Sequence, residues 1–145
     1  MIRLLASVLL ALGAAAPAFA YEDFERHTLT VPLLEKFQAA SLEAEKLSKN
    51  KDDDKGGDGD MTTVEMVKLL DATPGVKPLL AKHGLTTRSY ALTTLALIQA
   101  GFWVAMEPSM DKKKAAAQLA AYTPETRANI ELLRKNPKLM QKLQR

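Results

Sequence analysis

The segment YALTTLALIQAGFWVAM, residues 90–106, constrains the fold more than any other part of the sequence. As a helix it is apolar around nearly its whole circumference, and such a helix has to be covered. A bilayer span takes about 20 predominantly apolar residues. This run falls short of that, and Thr93, Thr94, Gln99 and Gly101 interrupt it. Burial at the centre of a helical domain, surrounded by the other helices, is therefore expected. Membrane association through helix 87–106 is the alternative. Trp103, beside Phe102, is expected in the core rather than on a ligand platform.

The surroundings of this run support a helical domain. No stretch alternates with period two for long, and alanine, leucine and lysine dominate while aromatics make up only 6%. Thr86 reads as an N-cap with Leu85 and Tyr90 as its hydrophobic staple, and Pro108 stops the helix. A first helix is expected over 31–47, capped by Thr30 with Pro32 in its first turn. Leu33, Phe37, Ala40, Ala44 and Leu47 share one face of it, with Leu42 off that stripe. Short helices follow over 62–71 and 76–83, separated by Pro74 and ended by Gly84 in a left-handed cap.

After an alanine-rich helical stretch, Thr123-Pro124-Glu125 gives the last helix a cap, a first-turn proline and an acid at its positive end. Ile130, Leu133, Met140 and Leu143 form its apolar stripe, and Pro137 should kink or split it near Asn136. The expected fold is all-α: a compact bundle of about four main helices plus short helical pieces.

The first twenty residues stand apart. Arg3 supplies a basic start, residues 4–12 an apolar core and Ala18-Phe19-Ala20 a small-x-small cleavage site, the pattern of a Sec-type export signal cut after Ala20. The expected product is a periplasmic or secreted single helical domain over 21–145, with a flexible acidic loop at 50–60. Losing Arg3 takes the formal charge from +3 to +2, a weak statement about partners. The chain has no cysteine, which excludes disulfide staples, thiolate zinc sites, iron–sulfur clusters, covalently attached haem and cysteine nucleophiles.

One stretch resembles a known motif. DKGGDGDMTTVE, residues 54–65, is similar to the twelve-residue calcium loop of EF-hands. Asp54 takes position one, Asp58 position five, Gly59 the sharp turn at six, Met61 the apolar eighth, Thr62 the ninth and Glu65 the bidentate twelfth. The candidate Ca²⁺ donors are Asp54, Asp58, Asp60, Thr62 and Glu65. Position three is Gly56, where an oxygen donor belongs, and no second hand is present. The resemblance implies a weak site, in the roughly 0.1–1 mM range of extracellular modules. The competing reading is a solvated linker.

Little else carries chemistry. His83 sits before Gly84 at a helix end, where a cation suits the dipole, and His27 lies in a segment that periodicity does not place. Haem held by His83 and a methionine is a weaker reading than packing for Met66, Met106 and Met140. Ser41, Ser48, Ser89 and Ser109 lack the context of a nucleophile. A basic C-terminal surface, Arg127, Arg134, Lys135, Lys138 and Lys142, could meet an anionic lipid or acidic protein surface, whereas nucleic acid is not expected in that compartment. GLTTRSYALTTLALIQAG and RANIELLRKNP resemble small exported all-helical bacterial proteins of uncharacterised role, which implies a helical core and no particular activity. The reading is a non-enzymatic binding module for a protein or small ligand. A calcium module and a membrane-associated protein are the alternatives.

Overall fold

The computed structural model describes residues 23–48 and 61–143. The expected export signal and acidic loop lie outside the described residues. The described chain is all-helical, with no strand. A 3-10 turn at Asp23–Arg26 leads through an extended segment into α1 (Val31–Ser48). Then come α2 (Thr63–Ala72), α3 (Val76–Lys82), α4 (Thr87–Met106), a 3-10 turn at Glu107–Ser109, α5 (Lys112–Ala121), α6 (Pro124–Lys135) and α7 (Pro137–Leu143).

Local chemistry sets most of these boundaries. Thr86 accepts from the Ser89 N–H at 3.0 Å, and the Ser89 hydroxyl accepts from the Thr86 N–H at 2.8 Å, closing the first turn of α4 reciprocally. Asp111 caps α5 by accepting from the N–H groups of Lys113 and Lys114. Thr123 caps α6 with Pro124 in its first turn. Pro137 splits α6 from α7 at Asn136, as its missing donor requires.

The α3–α4 junction is tied at two levels. Gly84 takes a φ of 71°, the Leu85 N–H bonds the Leu80 carbonyl at 2.9 Å, and the Gly84 N–H bonds the Ala81 carbonyl at 2.9 Å. This is a Schellman motif, with Leu80 and Leu85 as its hydrophobic contact. Leu85 also packs near Tyr90, so one side chain serves the end of α3 and the staple of α4.

The core has two parts. Leu29, Leu34, Ala96, Ala100, Trp103, Ala115, Ile130 and Leu133 form the larger one. Ala40, Leu79, Leu80 and Leu85 form the smaller. Trp103 is buried and meets Tyr122 edge-on at 5.5 Å, while Phe37 stacks on Tyr90 at 4.7 Å. The α1 stripe is rotated from the expected one: Leu34 is fully buried, whereas Leu47 is exposed.

α4 is the hub, packing on α6, α2 and the N-terminal 3-10 turn. It is not enclosed as expected. Ala91, Ala96, Ala100 and Trp103 face inward, but Ile98, Phe102 and Met106 face solvent. The exposure is one-sided: α6, α2 and the N-terminal turn pack where Ala96, Ala100 and Trp103 are buried, and no described helix covers Ile98, Phe102 and Met106 on the same turns.

Candidate functional site

The expected calcium donors divide. Asp54, Asp58 and Asp60 lie outside the described residues. Thr62 and Glu65 begin α2 and engage each other. The Glu65 carboxylate accepts from the Thr62 N–H and hydroxyl, each at 2.8 Å, while the Thr62 hydroxyl accepts from the Glu65 N–H at 3.3 Å. The Thr62 N–H, and after it the hydroxyl, hold the Glu65 carboxyl below its ordinary range. The T-x-x-E ending of the motif is thus also a capping box. Among the described residues, no three His, Asp or Glu side chains group closely enough to hold a metal ion.

The basic C-terminal residues do not act alike. Arg134 forks onto Glu107, with Nε to Oε2 at 3.1 Å and Nη2 to Oε1, and also pairs with Glu131. These partners, Glu107 foremost, raise the guanidinium above its usual value. Arg127 donates to the Ala120 carbonyl at 3.4 Å. Lys135, Lys138 and Lys142 project into solvent.

Both histidines are engaged. His83 ends α3, and its Nε2 meets Glu43 Oε2 at 2.8 Å beside Lys82, also at 2.8 Å from that carboxylate. Lys82 first, then His83, lowers the Glu43 carboxyl. His27 Nε2 lies 3.1 Å from Thr93 Oγ1. That hydroxyl donates to the Ser89 carbonyl at 2.7 Å, so it accepts from His27, which assigns the neutral imidazole its proton on Nε2. Burial lowers the His27 pKa. Two of the serines are likewise occupied: Ser41 bonds the Tyr90 hydroxyl at 2.8 Å, and Ser89 closes the α4 cap.

His27 belongs to a polar seam that fastens the N-terminal segment onto α4 and α6. Asn129, 1% exposed, accepts from the Leu29 N–H and donates to the His27 carbonyl, each at 2.8 Å. Thr123 and Thr126 donate to the Glu25 carbonyl. Gln99 donates to the Glu25 carboxylate at 3.2 Å, and Arg88 pairs with Asp23. The Asn129, Thr123 and Thr126 bonds hold backbone of the N-terminal segment and the others tie its side chains down, which marks a structural seam.

Surface cavities among the described residues include two of note. One of about 310 Å³ is lined by Arg26, Tyr122, Thr123, Pro124, Glu125 and Arg127, among others. The other, of about 240 Å³, is lined by Phe37, Gln38, Ser41, Leu42 and Glu45 of α1 and by Lys142 and Leu143 of α7.

The remaining feature is the outer face of α4. Ile98, Phe102 and Met106 are 60%, 67% and 44% exposed, at successive four-residue steps. They form one row about 12 Å long. Gln99, next to Ile98, turns inward to Glu25 and Thr126, so it does not break the row. Met106, expected in packing, belongs to this exposed row. Sequence periodicity missed the row because α4 is apolar on every side. A partial signal was size: alanines at 91, 96 and 100 mark the side where neighbours approach and Ile98 and Phe102 lie away from them, although Trp103 is turned inward too. By length and composition, Thr87–Ser109 is also apolar enough to cross a membrane, a property shared with core helices of soluble proteins.

No family model, curated protein or solved structure matches the chain.

Proposed function

We propose that the chain is a non-enzymatic, exported helical module that makes contact with its partner through the Ile98–Phe102–Met106 row of α4. The observation that carries this reading is the exposure of three large apolar side chains on one helix face. Covering side chains exposed to this extent is worth about 1–2 kcal/mol each. Contiguous apolar surface that a fold leaves uncovered marks contact sites more often than scattered single residues do. The polar groups of the molecule favour the same reading, since the histidines and the Ser41 and Ser89 hydroxyls already serve the fold. Export rests on the leader-like residues 1–20.

A photo-crosslinking residue placed at position 102 tests the reading, with exposed position 118 on α5 as the control. A discrete product in intact cells, protein or lipid, is expected from 102 and not from 118. No product from 102 would sink the proposal. Sequencing of the exported chain should begin at Tyr21. Turnover of any substrate, lost on one substitution, would overturn the non-enzymatic part.

A further inference from the structure

Resting on that reading, we infer that the occupant of the α4 row is the surface of an anionic lipid bilayer, with Lys112, Lys113 and Lys114 supplying the headgroup contacts. Three observations converge on it. The row is apolar without interruption, because Gln99 is turned into the seam. It exposes on the order of 300 Å², well below the about 800 Å² per partner that a stable protein interface takes. Shallow insertion of a few large side chains, aided by basic residues, is the way a helix lies on a membrane surface.

The second observation is the charge that follows the row. Six residues after Met106, three consecutive exposed lysines occupy the first turn of α5. Among the described residues, no carboxylate forms an ion pair with any of them. The positive end of a helix disfavours cations, and adjacent like charges repel. Asp111, the cap, supplies one carboxylate against three ammonium groups. An anionic surface relieves this arrangement and attracts the lysines, each adding to the hold within a Debye length of the headgroups.

The third is contrast with the other basic surface. Arg134 is neutralised by Glu107 and Glu131, and Arg127 is turned to a backbone carbonyl. The triad is therefore the group of consecutive exposed cations that follows the uncovered apolar row most closely in sequence.

The test uses the chain from Tyr21 onward, which contains every buried residue described. It is floated with vesicles of phosphatidylcholine alone or mixed equally with phosphatidylglycerol. Binding is expected only to the mixed vesicles, weakening as salt rises. Phe102→Asp should lower the affinity at least about tenfold with an unchanged helical spectrum. Replacing Lys112, Lys113 and Lys114 together by Gln should abolish the preference for phosphatidylglycerol, whereas the same change at Lys135, Lys138 and Lys142 should not. Equal binding to both vesicles, or dependence on the C-terminal lysines instead, overturns the inference. A concentration-dependent dimer broken by Phe102→Asp, without vesicle binding, also overturns it but leaves the row a contact face. A Phe102→Asp chain unaltered in flotation, self-association and crosslinking removes both readings.

Discussion

Asn129 grips the backbone at Leu29 from 100 residues away in sequence. Its carboxamide accepts from the Leu29 N–H and donates to the His27 carbonyl, satisfying a donor and an acceptor that would otherwise be stranded as the chain enters the core. Asn129 is itself 1% exposed, so no solvent can replace it. The N-terminal segment is thereby part of the bundle although it forms little helix of its own.

Asn129→Ala removes both bonds and leaves buried polar groups unpaired. At about 1–3 kcal/mol for each of the two unsatisfied groups, the loss should be roughly 2–6 kcal/mol in chemical denaturation. Faster exchange of the Leu29 amide should accompany it. A loss below about 1 kcal/mol would show that the segment is not held in this way.

The neutral imidazole of His27 is the form the fold favours, since burial depresses its pKa below the ordinary 6.5. The unfolded chain then binds a proton more readily than the folded one. Stability from this group is complete above about pH 6.5 and is lost as pH falls below that, towards the depressed folded value. His27→Gln, which retains a donor for Thr93, should flatten the melting temperature across that window. Glu43 acts separately: its lowered carboxyl adds stability that fades only as pH falls below about 4.5. An unchanged pH profile in the His27 variant would rule the effect out.

Glu65 offers a sharp choice between cap and cation ligand. A capping box accepts Gln at this position, whereas a bidentate calcium ligand needs the carboxylate. As a cap, Glu65→Gln should be nearly neutral and Glu65→Ala should cost on the order of 0.5–1 kcal/mol, each independent of calcium. A melting temperature raised by millimolar calcium and restored to baseline by Glu65→Gln or Asp58→Asn would assign the stretch to metal instead.

Gly84 occupies a left-handed conformation, φ 71°, and a Cβ there would meet only the flexible end of Lys36 at 3.8 Å. Space is therefore not the obstacle; backbone strain is. Gly84→Ala should cost about 1–2 kcal/mol, and Gly84→Asn less, because Asn tolerates this region better. Equal stability of the Ala variant would contradict the observed turn.

The parts legible in the sequence are those decided within four residues. The α4 cap at Thr86, the α6 start at Thr123-Pro124 and the break at Pro137 all follow from local donors, acceptors and ring geometry. What escaped depends on distant partners. Asn129 looks like any polar residue on a helix until Leu29 arrives. Leu34 and Leu47 are equally apolar, and only the placement of the neighbouring helices buries the first and exposes the second. The row on α4 escaped for the opposite reason, an excess of apolar signal on every side. Of the expected site, Thr62 and Glu65 fell where the spacing put them, at a helix start, because the same spacing serves both a cap and a calcium loop.

That closed first turn has a practical consequence. Thr62 and Glu65 satisfy one another, so α2 begins without help from whatever precedes it. A change in the length or composition of residues 49–60 should therefore leave the start of α2 in place, which a melting temperature unchanged on inserting a short Gly-Ser segment there would check. That connection is the natural place to open new termini or insert a tag.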